Sequence, residues 1–142
     1  MSFYAVIDTN VFVSALITKN TNSATIKILD YIFEGKIIPL YHTDIINEYF
    51  DVLHRKKFNL TETKINYILK AIKFYGVEVY PKPTGEILID MDDLIFYEVV
   101  MEKQDAGAFL VTGNKKHFPI KPFIVTPAEM AEIIEKQDKE RK

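Results

Sequence analysis

The chain has 142 residues, of which 48% are hydrophobic, and its formal net charge at neutral pH is -2. This composition predicts one globular domain with a full hydrophobic core, at residues 1–136, followed by a charged tail at residues 137–142. The net charge excludes attraction of nucleic acid by overall basicity, so such binding would need local patches or metal ions. The absence of cysteine excludes disulfides and thiolate zinc sites.

Three histidines, His42, His54 and His117, lie far apart in the sequence, which disfavours a histidine zinc site. The apolar runs are too short for a membrane helix, and the N-terminus enters a strand directly. We therefore expect a soluble, cytoplasmic protein that does not bind membranes.

The first half of the chain alternates strands with helices. The pattern predicts a strand at 3–8, a short helix at 11–17, a helix at 23–34, a strand at 37–41 and a helix capped by Thr43 or Asp44 that reaches Leu53. Pro39 lies inside the second strand, and proline there favours an edge or a strand end.

The second half continues this alternation. It predicts a helix capped by Thr61 and ending at Gly76, a strand at 77–80, a helix starting at Asp92 or a neighbour, strands at 108–112 and 123–125, and a last helix. Thr126-Pro127-Ala128-Glu129 opens that helix as a capping box with proline at the first helical position. Four or five short apolar strands separated by helices favour an α/β fold with a mostly parallel sheet covered on both faces.

Acidic residues follow several of these elements. Asp8 ends the first strand, where open α/β sheets bind ligands, although an aspartate there can also simply cap the next helix. Glu48 lies on the helix after the second strand, and taken alone it is typical of a solvated helix face. The acids at 90, 92 and 93 open a later helix, where capping is again the simpler interpretation. Together these acids could face one crevice, where like charges are unfavourable without a cation and where magnesium finds oxygen ligands.

Four segments together resemble the PIN-domain family, and more narrowly the toxin components of toxin–antitoxin systems. They are Val6-Ile7-Asp8-Thr9-Asn10-Val11, Ile45-Ile46-Asn47-Glu48-Tyr49, Asp90-Met91-Asp92-Asp93-Leu94-Ile95-Phe96 and the run from Leu110 to Pro119. The resemblance implies a three-layer α/β/α domain and a ribonuclease that depends on Mg²⁺ or Mn²⁺. It also implies an antitoxin protein as partner, and dimers are common among the relatives.

The resemblance assigns roles residue by residue. Asp8, Glu48 and Asp93 match the family's first three acids, which implies that they bind metal and catalyse phosphodiester hydrolysis. Asn114 stands where many members carry a fourth acid, which reduces the charge of the site by one. Further polar residues match or adjoin the same site, namely Asn10 and Thr112 as hydrogen-bonding groups and Asp90 and Asp92 as additional acids whose contribution stays open.

RNA attraction would fall to local basic segments. Lys115 and Lys116 adjoin the site, so we expect them to bind RNA, whereas the run at 54–58 has a similar composition but is typical of solvated surface. A phosphatase of the haloacid-dehalogenase type is disfavoured, because it needs a second aspartate where this chain has Asn10. A catalytically silent PIN-like module that binds RNA or protein remains the alternative, and Asn114 is the residue that favours it.

Overall fold

The computed structural model describes residues 2–140, so the last two residues of the expected tail lie outside the described part. The strands are β1 (Phe3–Ile7), β2 (Ile37–Tyr41), β3 (Val77–Glu78), β4 (Phe109–Val111) and β5 (Ile124–Val125). The helices are α1 (Thr9–Ile17), α2 (Ala24–Phe33), α3 (Thr43–Leu53), α4 (Glu62–Tyr75), α5 (Leu94–Glu102) and α6 (Pro127–Glu140). Short 3₁₀ turns lie at Lys56–Phe58, Met91–Asp93, Gln104–Ala106 and Lys115–His117.

The strands form one parallel sheet in the order β3-β2-β1-β4-β5. This confirms the predicted α/β/α architecture with a parallel central sheet. From β1 the chain builds outward to β2 and β3 on one side, and then to β4 and β5 on the other. Such a reversal opens a crevice beyond the carboxyl ends of the two central strands, where sheets of this kind bind ligands. Within residues 2–140, no helix is both long and apolar enough to cross a membrane.

The core is centred on β1. Ala5, Val6 and Ile7 are completely buried, because β1 has a neighbouring strand on each side and helices pack against the sheet. A strand buried on both faces is apolar at consecutive positions rather than at alternate ones. The buried centre makes the end of β1 a rigid base for whatever follows Ile7.

The expectation that Pro39 favours an edge or a strand end is wrong. β2 is an interior strand, and Pro39 lies in its middle, opposite Ala5 of β1. The pairing of β2 with the short β3 begins only at Leu40, so β3 requires no donor from Pro39. Proline is tolerated at position 39 because β3 pairs with β2 only from Leu40 onward, so no hydrogen bond to β3 is lost there.

Helix ends test the capping predictions. The Thr61 hydroxyl accepts a hydrogen bond from the Lys64 amide, and Thr126 and Glu129 form the predicted reciprocal capping box. Neither Thr43 nor Asp44 caps α3, because the His42 ring nitrogen Nδ1 accepts from the Asp44 amide instead.

Two helices are longer than the sequence pattern indicates. α1 begins two residues earlier than predicted, at Thr9, directly after Asp8. α6 continues to Glu140, well into the charged segment, and a 2.9 Å ion pair between Lys36 Nζ and Asp138 Oδ2 ties its last turns to the residue before β2.

Gly76 joins α4 to β3 at a point of close backbone approach. A Cβ atom at this position would collide with the carbonyl oxygens of Ile72 and Pro39. The backbone of Gly76 is extended, a conformation open to any residue, so space alone requires glycine here.

We therefore expect Gly76→Ala to destabilise the protein by about 2 kcal/mol, because the backbone must shift to admit a methyl group. Gly113→Ala is the matched control, since its Cβ would meet only the Asn10 side chain, at ordinary distances of 3.5 and 3.9 Å. Urea denaturation of both variants checks the difference. Equal stability would show that the α4–β3 junction relaxes freely.

Candidate active site at the carboxyl edge of the sheet

Asp8 occupies the position of a helix cap without acting as one. It precedes α1 with extended backbone angles, but its side chain makes no capping hydrogen bond to the helix. Its Oδ2 atom instead accepts hydrogen bonds from Thr112 Oγ1 at 2.7 Å and from Asn10 Nδ2 at 3.3 Å. The carboxylate is therefore held in the crevice between β1 and β4.

The polar residues that hold Asp8 also connect the ends of β1 and β4. The fully buried Thr112 hydroxyl accepts from the Asn114 amide at 3.0 Å, and Asn10 Oδ1 accepts from the Gly113 amide at 3.3 Å. The predicted supporting residues Asn10, Thr112 and Asn114 thus lie together, and this network fixes the orientation of the Asp8 carboxylate.

Glu48 reaches the crevice because its neighbour anchors α3. Tyr49 is 1% exposed, and its hydroxyl donates to the carbonyl oxygen of Ile7, the last residue of β1. Its ring also packs edge-on against Phe12 of α1. Successive helical residues point about 100° apart. With Tyr49 directed into the core, Glu48 therefore projects toward Asp8.

Two of the acids before α5, Asp90 and Asp93, differ in their hydrogen bonds. Asp90 Oδ1 accepts from the Asp92 amide at 3.0 Å and so caps the 3₁₀ turn. Asp93 stands at the start of α5 but makes no capping hydrogen bond, and its Oδ2 lies 3.6 Å from His117 Nδ1. Asp93, like Asp8, is therefore free to face the crevice.

These residues surround one pocket of about 300 Å³. It brings together most of the predicted site with three basic or aromatic residues that the sequence did not assign to it, namely Arg55, Phe58 and His117. The full lining is Asp8, Thr9, Asn10, Val13, Glu48, Val52, Arg55, Phe58, Asp90, Asp92, Asp93, Asn114 and His117. The sequence signal for Arg55 and Phe58 was a short basic run with an aromatic side chain. His117 belongs to a similar run, within the segment from Leu110 to Pro119 that resembles the family.

Lys115 and Lys116, the predicted RNA-binding lysines, do not line this pocket. They border a separate hollow beside Ile120 and Lys121. The Lys115 ammonium also forms a 3.0 Å ion pair with Glu129 of the α6 capping box. Its charge is therefore already partnered.

Negative charge dominates the electrostatics of the pocket. Burial raises the pKa of Asp8, although its hydrogen bond from Thr112 opposes the shift. Burial and the negative charges of Asp8 and Asp90 raise the pKa of Asp93 to about 6, while His117 opposes the rise. Burial and the charge of Asp92 also raise the pKa of Glu48, which Arg55 partly counters. The cations of the chain thus leave the acids incompletely compensated.

The donor set fits a hard divalent cation. Asp8, Glu48 and Asp93 supply carboxylate oxygens, the ligands that Mg²⁺ and Mn²⁺ prefer. Within residues 2–140, no three acidic or histidine side chains stand close enough together to hold an ion entirely by themselves. Mg²⁺ commonly keeps several waters and uses one or two carboxylates, so an ion held partly through water suits this arrangement.

Residues 4–116 match the family model of the PIN domain. The chain belongs to the PIN-domain family. A relative, an uncharacterised protein of Methanocaldococcus jannaschii, is 40% identical over 113 residues, which cover 78% of this chain and 70% of the relative. No solved structure matches the chain. PIN domains are generally nucleases and generally use divalent metal ions.

The raised pKa of Asp93 makes the stability of this PIN domain depend on pH. An aspartate in an unfolded chain titrates near 3.9, whereas the pKa of Asp93 in the folded state is about 6. Between these values the folded state binds more protons than the unfolded state, so raising the pH through this interval lowers the free energy of unfolding.

We therefore expect Asp93→Asn to stabilise the metal-free protein by about 1–2 kcal/mol at pH 7.5, a figure reduced for partial solvation, and to lose this advantage below pH 4. Urea denaturation in EDTA at the two pH values measures the effect. The exposed Asp44→Asn is the control and should bring no gain. A variant less stable than wild type at pH 7.5 would mean that Asp93 makes net favourable contacts in the metal-free fold.

Proposed function

We propose that this PIN domain is a divalent-metal-dependent endoribonuclease that hydrolyses RNA phosphodiester bonds. The observation that carries the proposal is the convergence of Asp8, Glu48 and Asp93, from three separate elements, in one pocket at the carboxyl edge of the sheet. Their raised pKa values support it, because acids poised against one another favour binding of a cation.

The residues of the chain would share the work as follows. Asp8, oriented by Thr112 and Asn10, and Asp93 would hold the ion. Glu48 would be a further ligand or would orient the attacking water, a role that suits its position opposite Asp8. When bound, the ion lowers the pKa of a bound water and offsets charge on the phosphate.

Asn114 would act by hydrogen bonding. Its amide replaces a carboxylate that many family members carry, so it adds no negative charge to the pocket. Asp90 is occupied as a cap and Asp92 lies beside it. Their contribution would be to the negative field around the ion rather than to its direct coordination.

We extend the proposal to a role as the toxin of a toxin–antitoxin pair. The support is the resemblance of the four sequence segments to that branch of the PIN-domain family. The expected partners are then an antitoxin protein and a second copy of the chain, and the expected location is the cytoplasm.

A catalytically silent module that binds RNA or protein is the second candidate. Asn114 favours it, because the pocket lacks the fourth acid. Within residues 2–140, no three acidic or histidine side chains are placed to hold a metal ion by themselves, which also favours it. A phosphatase that uses an aspartyl intermediate is disfavoured, since the Asn10 amide donates to Asp8 and cannot act as a general acid.

Cleavage of a panel of single-stranded and hairpin RNAs with Mg²⁺ or Mn²⁺ tests the proposal. We expect gel-resolved cleavage in single-stranded regions, because unstacked strands expose the backbone to a crevice more readily than a duplex does. EDTA should abolish it. Asp8→Asn, Glu48→Gln and Asp93→Asn should each lower the rate by about 100-fold or more while the protein stays folded.

Asp44→Asn is the control, because Asp44 lies on α3 with Glu48 but outside the pocket, and it should cleave at nearly the wild-type rate. Cleavage that persists unchanged in the Asp8 and Asp93 variants would indicate a contaminating nuclease. RNA binding without cleavage in either metal would favour the silent module.

A further inference from the structure

Arg55 and Phe58, which the sequence did not assign to the site, lie three residues apart and both border the acidic pocket. Both line it together with Glu48 and Asp93. Arg55 is exposed, whereas Phe58 is half-buried and packs against the hydrophobic core. An arginine and an aromatic ring therefore border a pocket that is otherwise rich in carboxylates.

Arg55 keeps its charge available. Within residues 2–140 its guanidinium forms no ion pair within 4 Å, although it is near enough to Glu48 to influence that carboxyl electrostatically. Lys115, by contrast, is paired with Glu129. Among the basic side chains that the sequence offers near the site, Arg55 is both free and inside the pocket. A guanidinium can bind phosphate through two parallel hydrogen bonds, which a lysine cannot do.

The backbone holds Arg55 and Phe58 in a fixed relation. The Phe58 amide donates to the Arg55 carbonyl oxygen at 3.1 Å, and Asn59 closes the 3₁₀ turn in the left-handed conformation, with its amide donating to Lys56. His54, just before the turn, contacts Glu62 at the start of α4 through a 2.5 Å hydrogen bond. The turn is therefore closed by its own backbone and tied to α4 through His54, which fixes the backbone of Arg55 and Phe58 beside the pocket. The Lys57 ammonium lies 5.1 Å from the centre of the Phe58 ring, where a stacked base would displace it.

We propose that Arg55 and Phe58 form the docking edge for a single-stranded RNA substrate, with the guanidinium on a backbone phosphate and the Phe58 ring stacked on a neighbouring unpaired base. This inference rests on the proposed ribonuclease function. Aromatic stacking on unpaired bases and cation binding to phosphates are the usual means by which proteins hold single strands. A duplex offers no free base face to Phe58, so the same edge selects unpaired substrate.

The test measures binding of short single-stranded RNA that carries 2-aminopurine, with Asp8→Asn as the parent protein so that the RNA stays intact. We expect the parent to quench the 2-aminopurine fluorescence by stacking. Phe58→Leu should lose the quenching and bind about tenfold more weakly, whereas Phe58→Tyr should restore both. Because leucine still fills the apolar site, loss of quenching with leucine and rescue by tyrosine report on the ring rather than on packing.

Arg55→Ala should weaken binding and reduce the slope of log affinity against log salt by about 0.7, the value for one phosphate contact on a single strand. Lys70→Ala is the matched control, since it removes one positive charge from an exposed position on α4 that does not line the acidic pocket, and it should leave the slope unchanged. Duplex RNA of the same sequence should bind Phe58→Leu and the parent equally.

Retained quenching in Phe58→Leu, an unchanged salt slope in Arg55→Ala, or an equal loss of affinity for duplex RNA would overturn the inference. The same experiments distinguish failure of the docking edge from failure of the proposed ribonuclease function. If the wild type does not cleave but binding depends on Arg55 and Phe58, the docking edge stands and the nuclease proposal falls. If the wild type cleaves but Phe58→Leu and Arg55→Ala bind single-stranded RNA as the Asp8→Asn parent does, the nuclease proposal stands and the docking edge falls.

Discussion

The Asp8 carboxylate is held between the ends of β1 and β4 by a 2.7 Å hydrogen bond from a hydroxyl that is itself completely buried, that of Thr112. This bond joins the two central strands at the point where the sheet reverses its direction of growth. Because both strands are locked in parallel register, the carboxylate has little freedom to move toward water. The other acids of the pocket therefore surround a carboxylate whose position is fixed.

That constraint explains the electrostatics. Glu48 lies on α3, which Tyr49 anchors to β1. Asp93 lies at the start of α5, and Asp90 rather than Asp93 caps the turn before that helix. Each is therefore available to the pocket, and each has a raised pKa because of burial and of acids close by. Buried acids that repel one another lower the stability of the metal-free fold, and such unfavourable clusters are typical of functional sites, where ligand binding compensates for them.

The helix starts and several site residues could be predicted from the sequence, because short segments of the chain determine them. The starts of α4 and α6 could be predicted because Thr61 and the capping box at Thr126 form hydrogen bonds with residues only three positions away. Asp8 directly follows β1 and Glu48 lies on the helix after β2, so a parallel sheet could be expected to bring both to one edge. Asp93 was assigned to the site by the resemblance to the PIN-domain family.

The predictions that were wrong or incomplete concern contacts between residues that are far apart in the sequence. The interior position of Pro39 follows from a neighbouring strand that starts late, and no local preference reports that. The pairing of Lys115 depends on a glutamate 14 residues away, which the sequence reveals as part of a cap but not as a partner. Arg55 and Phe58 sit in a run whose composition is equally typical of solvated surface, so only the fold distinguishes the two.

The proposed function requires that Asp8 and Asp93 form one cation site, and their raised pKa values imply that the empty site holds extra protons. The most direct measurement is Mn²⁺ binding at pH 6 by calorimetry, in buffers of different ionisation enthalpy, which yields affinity and proton release together. We expect the wild type to release protons on binding, because the pKa of Asp93 is about 6. We also expect Asp8→Asn and Asp93→Asn each to bind at least about tenfold more weakly, and Asp44→Asn to bind like the wild type. Equal affinity in the wild type and the Asp8 variant, with no proton release, would show that these two aspartates do not form a cation site.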